Sequence, residues 1–199
     1  VGAPRLERWF AAMLAWQDRL VMKTSVTMRE LVVGDCHAVH AFASLPEACR
    51  YQAWGPNTEE QTRDFVQSAV DARLQSPRAR FVYAACLDGE LVGIGELKVR
   101  SLAHRQGEIS YLVHPRAWGR GVGTAIGGEL LGRGFGLIGL HRIHATCDPR
   151  NVASARVLGK LGMTHEGRHR HTARIRDGWR DSDVFSVLDQ EWTHRPGPQ

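Results

Sequence analysis

Three glycines at alternate positions, Gly119, Gly121 and Gly123, mark the segment Glu108–Thr124 (EISYLVHPRAWGRGVGT). A strand pattern runs into this loop and a helix pattern leaves it. Alternate glycines let the backbone approach a ligand closely and point successive N–H groups the same way. The start of the helix adds unsatisfied donors and about half a positive charge. Such an array can cradle a diphosphate, although the same spacing also makes a plain strand-to-helix turn. No Lys-Ser/Thr pair follows the glycines, which disfavours a nucleotide-hydrolysing P-loop. Thr124 stands where a dinucleotide-binding fingerprint has Gly or Ala, so the expected anion is a diphosphate on another kind of molecule.

Other reactive side chains form weaker patterns. Cys36, Cys49, Cys86 and Cys147 contain no Cys-x-x-Cys pair, and the apolar neighbours of Cys86 and Cys147 predict reduced, buried thiols. His165, His169 and His171 invite a metal reading, but no carboxylate or Cys stands at ligand spacing, and no metal is expected. The stretch His165–Arg180 is rich in Arg and His and reads as a solvated basic strand face rather than a nucleic-acid surface.

The loop WGRGVGTA, with EISYLVHP before it and DPRNVASARVLGKLGM after it, resembles the GNAT superfamily of N-acetyltransferases. It is most similar to the branch containing the ribosomal-protein N-terminal acetyltransferases, and the likeness runs from about Val26 to Trp192. The resemblance implies acetyl-CoA as co-substrate and an amine as acceptor, either a protein N-terminus or a small molecule. It places the diphosphate on the backbone of Trp118, Gly119, Arg120, Gly121, Val122, Gly123 and Thr124. Trp118 departs from the Gln/Arg that opens the family's loop pattern, which matters little where main-chain donors act. Leu112 and Val113 would pair with the pantetheine arm like an added strand, and the Val113 N–H would steady the oxyanion.

Asn151 matches the family's pantetheine-binding Asn and also suits a helix N-cap. Ser154, in the first helical turn, would face the thioester sulfur. Many relatives carry a general-acid Tyr further along this helix, where Leu158 stands here, so Ser154 is the substitute acid. An acceptor ammonium must lose a proton before it attacks. Glu108, at the start of an otherwise apolar strand, is the candidate base, and burial would raise its pKa toward neutrality. A strand-end carboxylate in a salt bridge is its alternative reading. Glu96 is the reserve base and His114 a possible relay.

The elements that must hold these groups alternate along the chain. Arg5–Lys23 reads as an amphipathic helix, a peripheral element that would pair with a second copy as a homodimer or cover its own sheet. Val26–Val33 reads as a strand, and Gly34–Ala43 as a helix opening with Asp35. Thr58–Leu74 reads as a helix, with Thr58 and Gln61 in capping-box spacing. Arg80–Leu87 and Glu90–Val99 form a hairpin through Asp88-Gly89. A strand Gly107–His114, a Gly-rich loop and helix over Trp118–Phe135, and a strand Arg142–Cys147 come next. Helix Asn151–Leu161 and strands near Thr164–His171 and Trp179–Leu188 complete the order. The expectation is an α/β fold of α+β type: a GNAT-like central mixed sheet flanked by helices. Residues 1–24 form an extension, 25–193 the acetyltransferase domain and 194–199 a flexible tail.

Composition bounds the rest. With 199 residues, 43% hydrophobic and 24% charged, the chain can bury one core, and neither disorder nor coiled coil fits. No apolar run reaches the roughly 18 to 20 residues of a membrane span. No secretory signal is visible, so a cytoplasmic location is expected. Two further readings stand beside the enzyme: a catalytically silent acyl-CoA sensor, kept open by Leu158, and a nucleic-acid module, for which +5 of net charge is weak support. The acceptor pocket is expected from Leu45–Thr58, the loop Arg100–Arg105 and the last two strands.

Overall fold

The computed structural model describes residues 26–192. The expected helix Arg5–Lys23 and the tail His194–Gln199 lie outside them. The strands are β1 (Val26–Glu30), β2 (Arg80–Leu87), β3 (Glu90–Ser101), β4 (Gln106–Val113), β5 (Arg142–Cys147), β6 (Thr164–Ile175) and β7 (Gly178–Leu188). The α-helices are α1 (Cys36–Ala43), α2 (Glu59–Asp71), α3 (Val122–Arg133) and α4 (Val152–Lys160). The sheet runs β1-β2-β3-β4-β5-β7-β6, and every neighbour pair is antiparallel except β4 with β5. This is the mixed sheet with flanking helices that the sequence predicts. Among the described residues no helix is long and apolar enough to cross a membrane.

Both faces of the middle strands are covered, which explains their near-continuous apolar runs. On one face Ile126, Leu130 and Leu131 of α3 and Leu158 of α4 pack on Leu97, Ile109 and Ile143. On the other, Val39 and Phe42 of α1 and Val66 of α2 pack on Val82, Ala84 and Ile94. Helix α3 lies so close to β3 that a Cβ on Gly95 would stand 2.5 Å from Ile126 Cγ2. The capping box forms as expected: Thr58 Oγ1 accepts the Gln61 N–H at 3.2 Å, and Gln61 Oε1 accepts the Thr58 N–H at 2.9 Å. Asp88 and Gly89, with φ of 52° and 84°, turn the β2–β3 hairpin.

Several boundaries move from their expected places. The first strand stops at Glu30 because Asp35 folds back, accepting the Val32 N–H at 2.9 Å and both Arg29 guanidinium nitrogens at 2.7 Å. Asp35 therefore closes a short 3-10 turn, and α1 begins after it. Within the expected loop and helix Trp118–Phe135, helix α3 starts at Val122, after Gly121 takes a left-handed φ of 79°. It passes into a π-helical turn over Gly134–Ile138. Strand β6 runs on to Ile175, past the expected His171, through irregular register against β7.

The feature that positions the site is a failure of pairing. Strands β4 and β5 match only at Gln106–Glu108 against Arg142–His144. Beyond that point they part, leaving Ile109–Val113 and Ala145–Cys147 on either side of an opening.

Candidate active site

The opening widens into a cleft of about 370 Å³ lined by both parted strands, the start of α4, and Tyr51 to Trp54 from the loop after α1. One wall is main chain. The His114 N–H donates to the Val92 carbonyl at 2.7 Å, so the antiparallel alternation turns the peptide groups of Tyr111 and Val113 away from β3 and toward the opening. The Leu112 peptide groups face β3 instead. The edge presented to a ligand is thus Tyr111 and Val113, while Leu112 contributes a buried side chain to the cleft lining. The Val113 carbonyl accepts the Trp118 indole N–H at 2.9 Å, which ties the glycine loop to the end of β4.

Beyond Trp118, the N–H groups from Gly119 to Thr124 donate to no acceptor among the described residues, and the first helical bond is Ala125 N–H to the Gly121 carbonyl at 3.0 Å. Gly119 and Gly121 both have positive φ, near 74° and 79°, a left-handed backbone that favours glycine. The Arg120 guanidinium lies 3.5 Å from Asp88 at the hairpin turn, both exposed.

Asn151 caps α4, its Oδ1 accepting the Ser154 N–H at 3.1 Å, so the N-cap reading holds and its amide nitrogen remains for another partner. The Ser154 Oγ meets the Tyr111 hydroxyl at 3.0 Å. Tyr111 escaped the sequence reading, where it counted as one more apolar strand residue. Burial pushes its phenol up to about 12, against the opposing Ser154 bond, so it stays protonated at neutral pH. A protonated phenol on Ser154 fixes the orientation of that hydroxyl.

Glu96, Lys98, Glu108 and Ser110 share the opposite sheet face and line the cleft. Glu108 takes the salt-bridge form: Arg100 Nε donates to Oε2 at 2.6 Å, and Nη2 donates to the same oxygen. Its Oε1 has no partner among the described residues. In Glu96 both oxygens are engaged, Oε1 by Arg80 at 2.5 Å and Oε2 by Lys98 at 3.1 Å. The loop 100–105 thus reaches the site through Arg100 and does not itself line the cleft.

His114 is occupied elsewhere, its Nδ1 accepting the Arg116 N–H at 3.1 Å, and burial with Arg116 nearby lowers its pKa. It does not line the cleft. Cys147 does, but burial, with Asp183 nearby, pushes its thiol up to about 11, which leaves it a poor nucleophile. All four cysteines are free. His165, His169 and His171 do not converge, and among the described residues no group of three or more His, Cys, Asp or Glu side chains could hold a metal ion.

Comparison with known proteins adds the chemistry. A family model described as an acetyltransferase (GNAT) domain matches residues 25–164. An uncharacterized N-acetyltransferase of Bacillus subtilis (strain 168), YnaD, is 28% identical over 83% of this chain and 94% of its own length. The crystal structure of a GNAT-family acetyltransferase from Bacillus anthracis is 29% identical, with a TM-score of 0.72, over 83% of this chain and 96% of that one. The fold likeness extends to Mycobacterium smegmatis RimJ in complex with CoA-disulfide, at 24% identity and a TM-score of 0.75, over 85% of each chain.

Proposed function

The chain belongs to the GNAT family of acetyltransferases and uses acetyl-CoA as co-substrate; from that premise we propose that it passes the acetyl group directly to a primary amine in the β4–β5 opening. No covalent enzyme intermediate is involved. The observation that carries this reading is the meeting, in one cleft, of the free β4 edge, the Ser154–Tyr111 pair and a Glu108 carboxylate with one open oxygen.

In this reading the diphosphate lies on the N–H groups of Gly119 to Thr124, at the start of α3. The pantetheine arm runs along β4 as an added strand, bonded to the Tyr111 peptide groups and to the Asn151 amide, with the Val113 N–H left for the reacting carbonyl. Glu108 Oε1 takes a proton from the acceptor ammonium, directly or through water. The amine nitrogen then attacks the thioester carbonyl carbon, and the Val113 N–H stabilises the oxyanion. As the C–S bond breaks, Ser154, oriented by the protonated Tyr111 phenol, donates its hydroxyl proton to the departing sulfur, and the second proton lost by the attacking nitrogen returns to Ser154 through water. Glu108 is preferred to Glu96 as base because both Glu96 oxygens are taken. The Tyr111–Ser154 pair supports turnover over silent acyl-CoA binding, since it offers a proton donor although the helix carries Leu158 in place of the family's Tyr. The acceptor is a small-molecule amine or a protein N-terminus, and the charged wall of the cleft faces it.

A thermal-shift titration with acetyl-CoA, CoA and ATP tests the co-substrate, followed by thiol release against a panel of amines. Acetyl-CoA at about 100 times Kd should add roughly 2.7 kcal/mol, a rise of about 5 to 11 °C. ATP should give none. No shift at millimolar acetyl-CoA, or transfer that survives Glu108→Gln undiminished, would contradict this account.

A further inference from the structure

Among the charged side chains that line the cleft, Arg180 differs from the rest in having nothing to bind. It sits on β7 beyond Asp183, the last residue of that strand to pair with β5, and opposite Ala173 of β6. Its Nε and Nη1 are shielded from solvent and have no hydrogen-bond partner. Nη2 makes no hydrogen bond to a described residue but is not shielded from solvent.

Every other cleft charge is matched. Arg80 and Lys98 hold Glu96, and Arg100 holds Glu108. Asp148, whose carboxyl feels the Arg180 charge, is taken by the Arg150 N–H at 2.9 Å and its guanidinium at 2.7 and 3.0 Å. Burial raises the Asp148 pKa, but the Arg150 bonds and the Arg150 and Arg180 charges override it and hold the carboxyl below its ordinary value. Asp183, further along β7, is likewise held by Arg168.

A guanidinium with two of its nitrogens withdrawn from water and without acceptors is unfavourable. The penalty is relieved when an oxyanion enters. The diphosphate of acetyl-CoA is held at the loop 119–124, which is not part of this cleft lining, and its pantetheine arm is uncharged. The anion must therefore arrive with the acceptor. The planar guanidinium fork matches a carboxylate through two parallel bonds.

We infer that the acceptor is a small amino carboxylate, and that Arg180 binds its carboxylate while the amine faces Glu108. This rests on the transfer reading above and narrows it. A polyamine would instead bring more positive charge beside an uncompensated guanidinium.

The test is thiol release by the full chain with acetyl-CoA and free amino acids, each paired with its amide and its decarboxylated amine. Arg180→Gln, Arg180→Lys and Arg180→Met are run beside the wild type, together with their acetyl-CoA thermal shifts. The wild type should prefer the carboxylate member of a pair about 10- to 100-fold in kcat/KM, chiefly through KM. Arg180→Gln should abolish that preference and Arg180→Lys recover part of it. Arg180→Met should raise the Tm of the ligand-free protein, the opposite of what a structural role requires. Equal use of carboxylates and amides, a preference that survives Arg180→Gln, or no transfer to any carboxylate while acetyl-CoA still binds would each overturn the inference. Loss of the acetyl-CoA shift in the wild type would instead remove the transfer reading beneath it.

Discussion

The proposed site joins two surfaces of different kinds. The β4 edge and, beside the cleft, the glycine loop offer peptide N–H groups, uncharged donors fixed by the strand ladder and the left-handed Gly119 and Gly121. The opposite wall offers side chains: Glu96, Lys98 and Glu108 on the neighbouring strands β3 and β4, held by ion pairs, and Arg180 on β7, with no hydrogen-bond partner on Nε and Nη1. A main-chain surface depends on backbone shape and tolerates most side-chain changes. A side-chain surface can be rewritten one residue at a time. The difference fits a protein that keeps one co-substrate while its acceptor is free to vary.

The largest break in that comparison should come from the charged wall. Glu108→Gln is expected to lower kcat/KM by about 100-fold or more, within the range for general bases. Glu96→Gln should cost far less, since both Glu96 oxygens already serve Arg80 and Lys98. Steady-state kinetics of the two variants with one acceptor decides between them.

Next comes the main-chain side. Gly121→Val places a β-branched residue at φ 79°. The strain of about 1 to 2 kcal/mol should be relieved by swinging the loop donors away. Acetyl-CoA affinity should then fall roughly 5- to 30-fold by calorimetry, with Tm lowered by only a few degrees.

A smaller effect is expected where the two sides meet. Ser154→Ala should reduce kcat by about 10-fold and Tyr111→Phe by less, as for single hydrogen bonds, with the acetyl-CoA Kd nearly unchanged. If Tyr111→Phe were the more damaging, the phenol would be the direct donor and Ser154 a bystander.

The smallest effect concerns the edge strand β6, the neighbour of the strand that carries Arg180. The Arg142 hydrogen bonds hold Glu166 on β6 down to about 2, against some burial. A depressed carboxyl stabilises the folded state above its ordinary value of 4.5, and that contribution is lost as pH falls through about 2. Glu166 is more than a third exposed, so screening limits the effect to under about 1 kcal/mol. Glu166→Gln should lower Tm slightly at pH 7 and not at pH 2, as read by calorimetry across that range.

The main-chain side was also the more legible one. Gly119, Gly121 and Gly123 announce it by their alternate spacing, and the positive φ of the first two favours residues without a Cβ. Its finer orientation was hidden. Whether Leu112 or Val113 turns its peptide groups to the ligand depends on the register of β3 against β4, a property of pairing rather than of either residue. Tyr111 and Ser154 belong to a strand and a helix separated by an intervening helix and strand, and only the parting of β4 from β5 brings their hydroxyls together. Arg180 sat unnoticed in a basic stretch, since its neighbours Arg168, Arg174 and Arg176 look the same in sequence. Arg168 finds Asp183 and Arg176 finds the carbonyls of Cys49, Gln52 and Gly55, whereas Arg180 finds no partner. The extension of β6 to Ile175 was likewise supplied by pairing with β7, since Arg and His are poor strand signals.

The division of labour between the two sides is tested most directly by the acetyl-CoA dissociation constant, measured by titration calorimetry in the wild type, Gly121→Val and Glu108→Gln. The account predicts a weakened Kd in Gly121→Val alone, with Glu108→Gln binding like the wild type while its turnover collapses. Equal weakening in both variants, or none in Gly121→Val, would contradict the assignment of acetyl-CoA to the main chain and of catalysis to the charged wall.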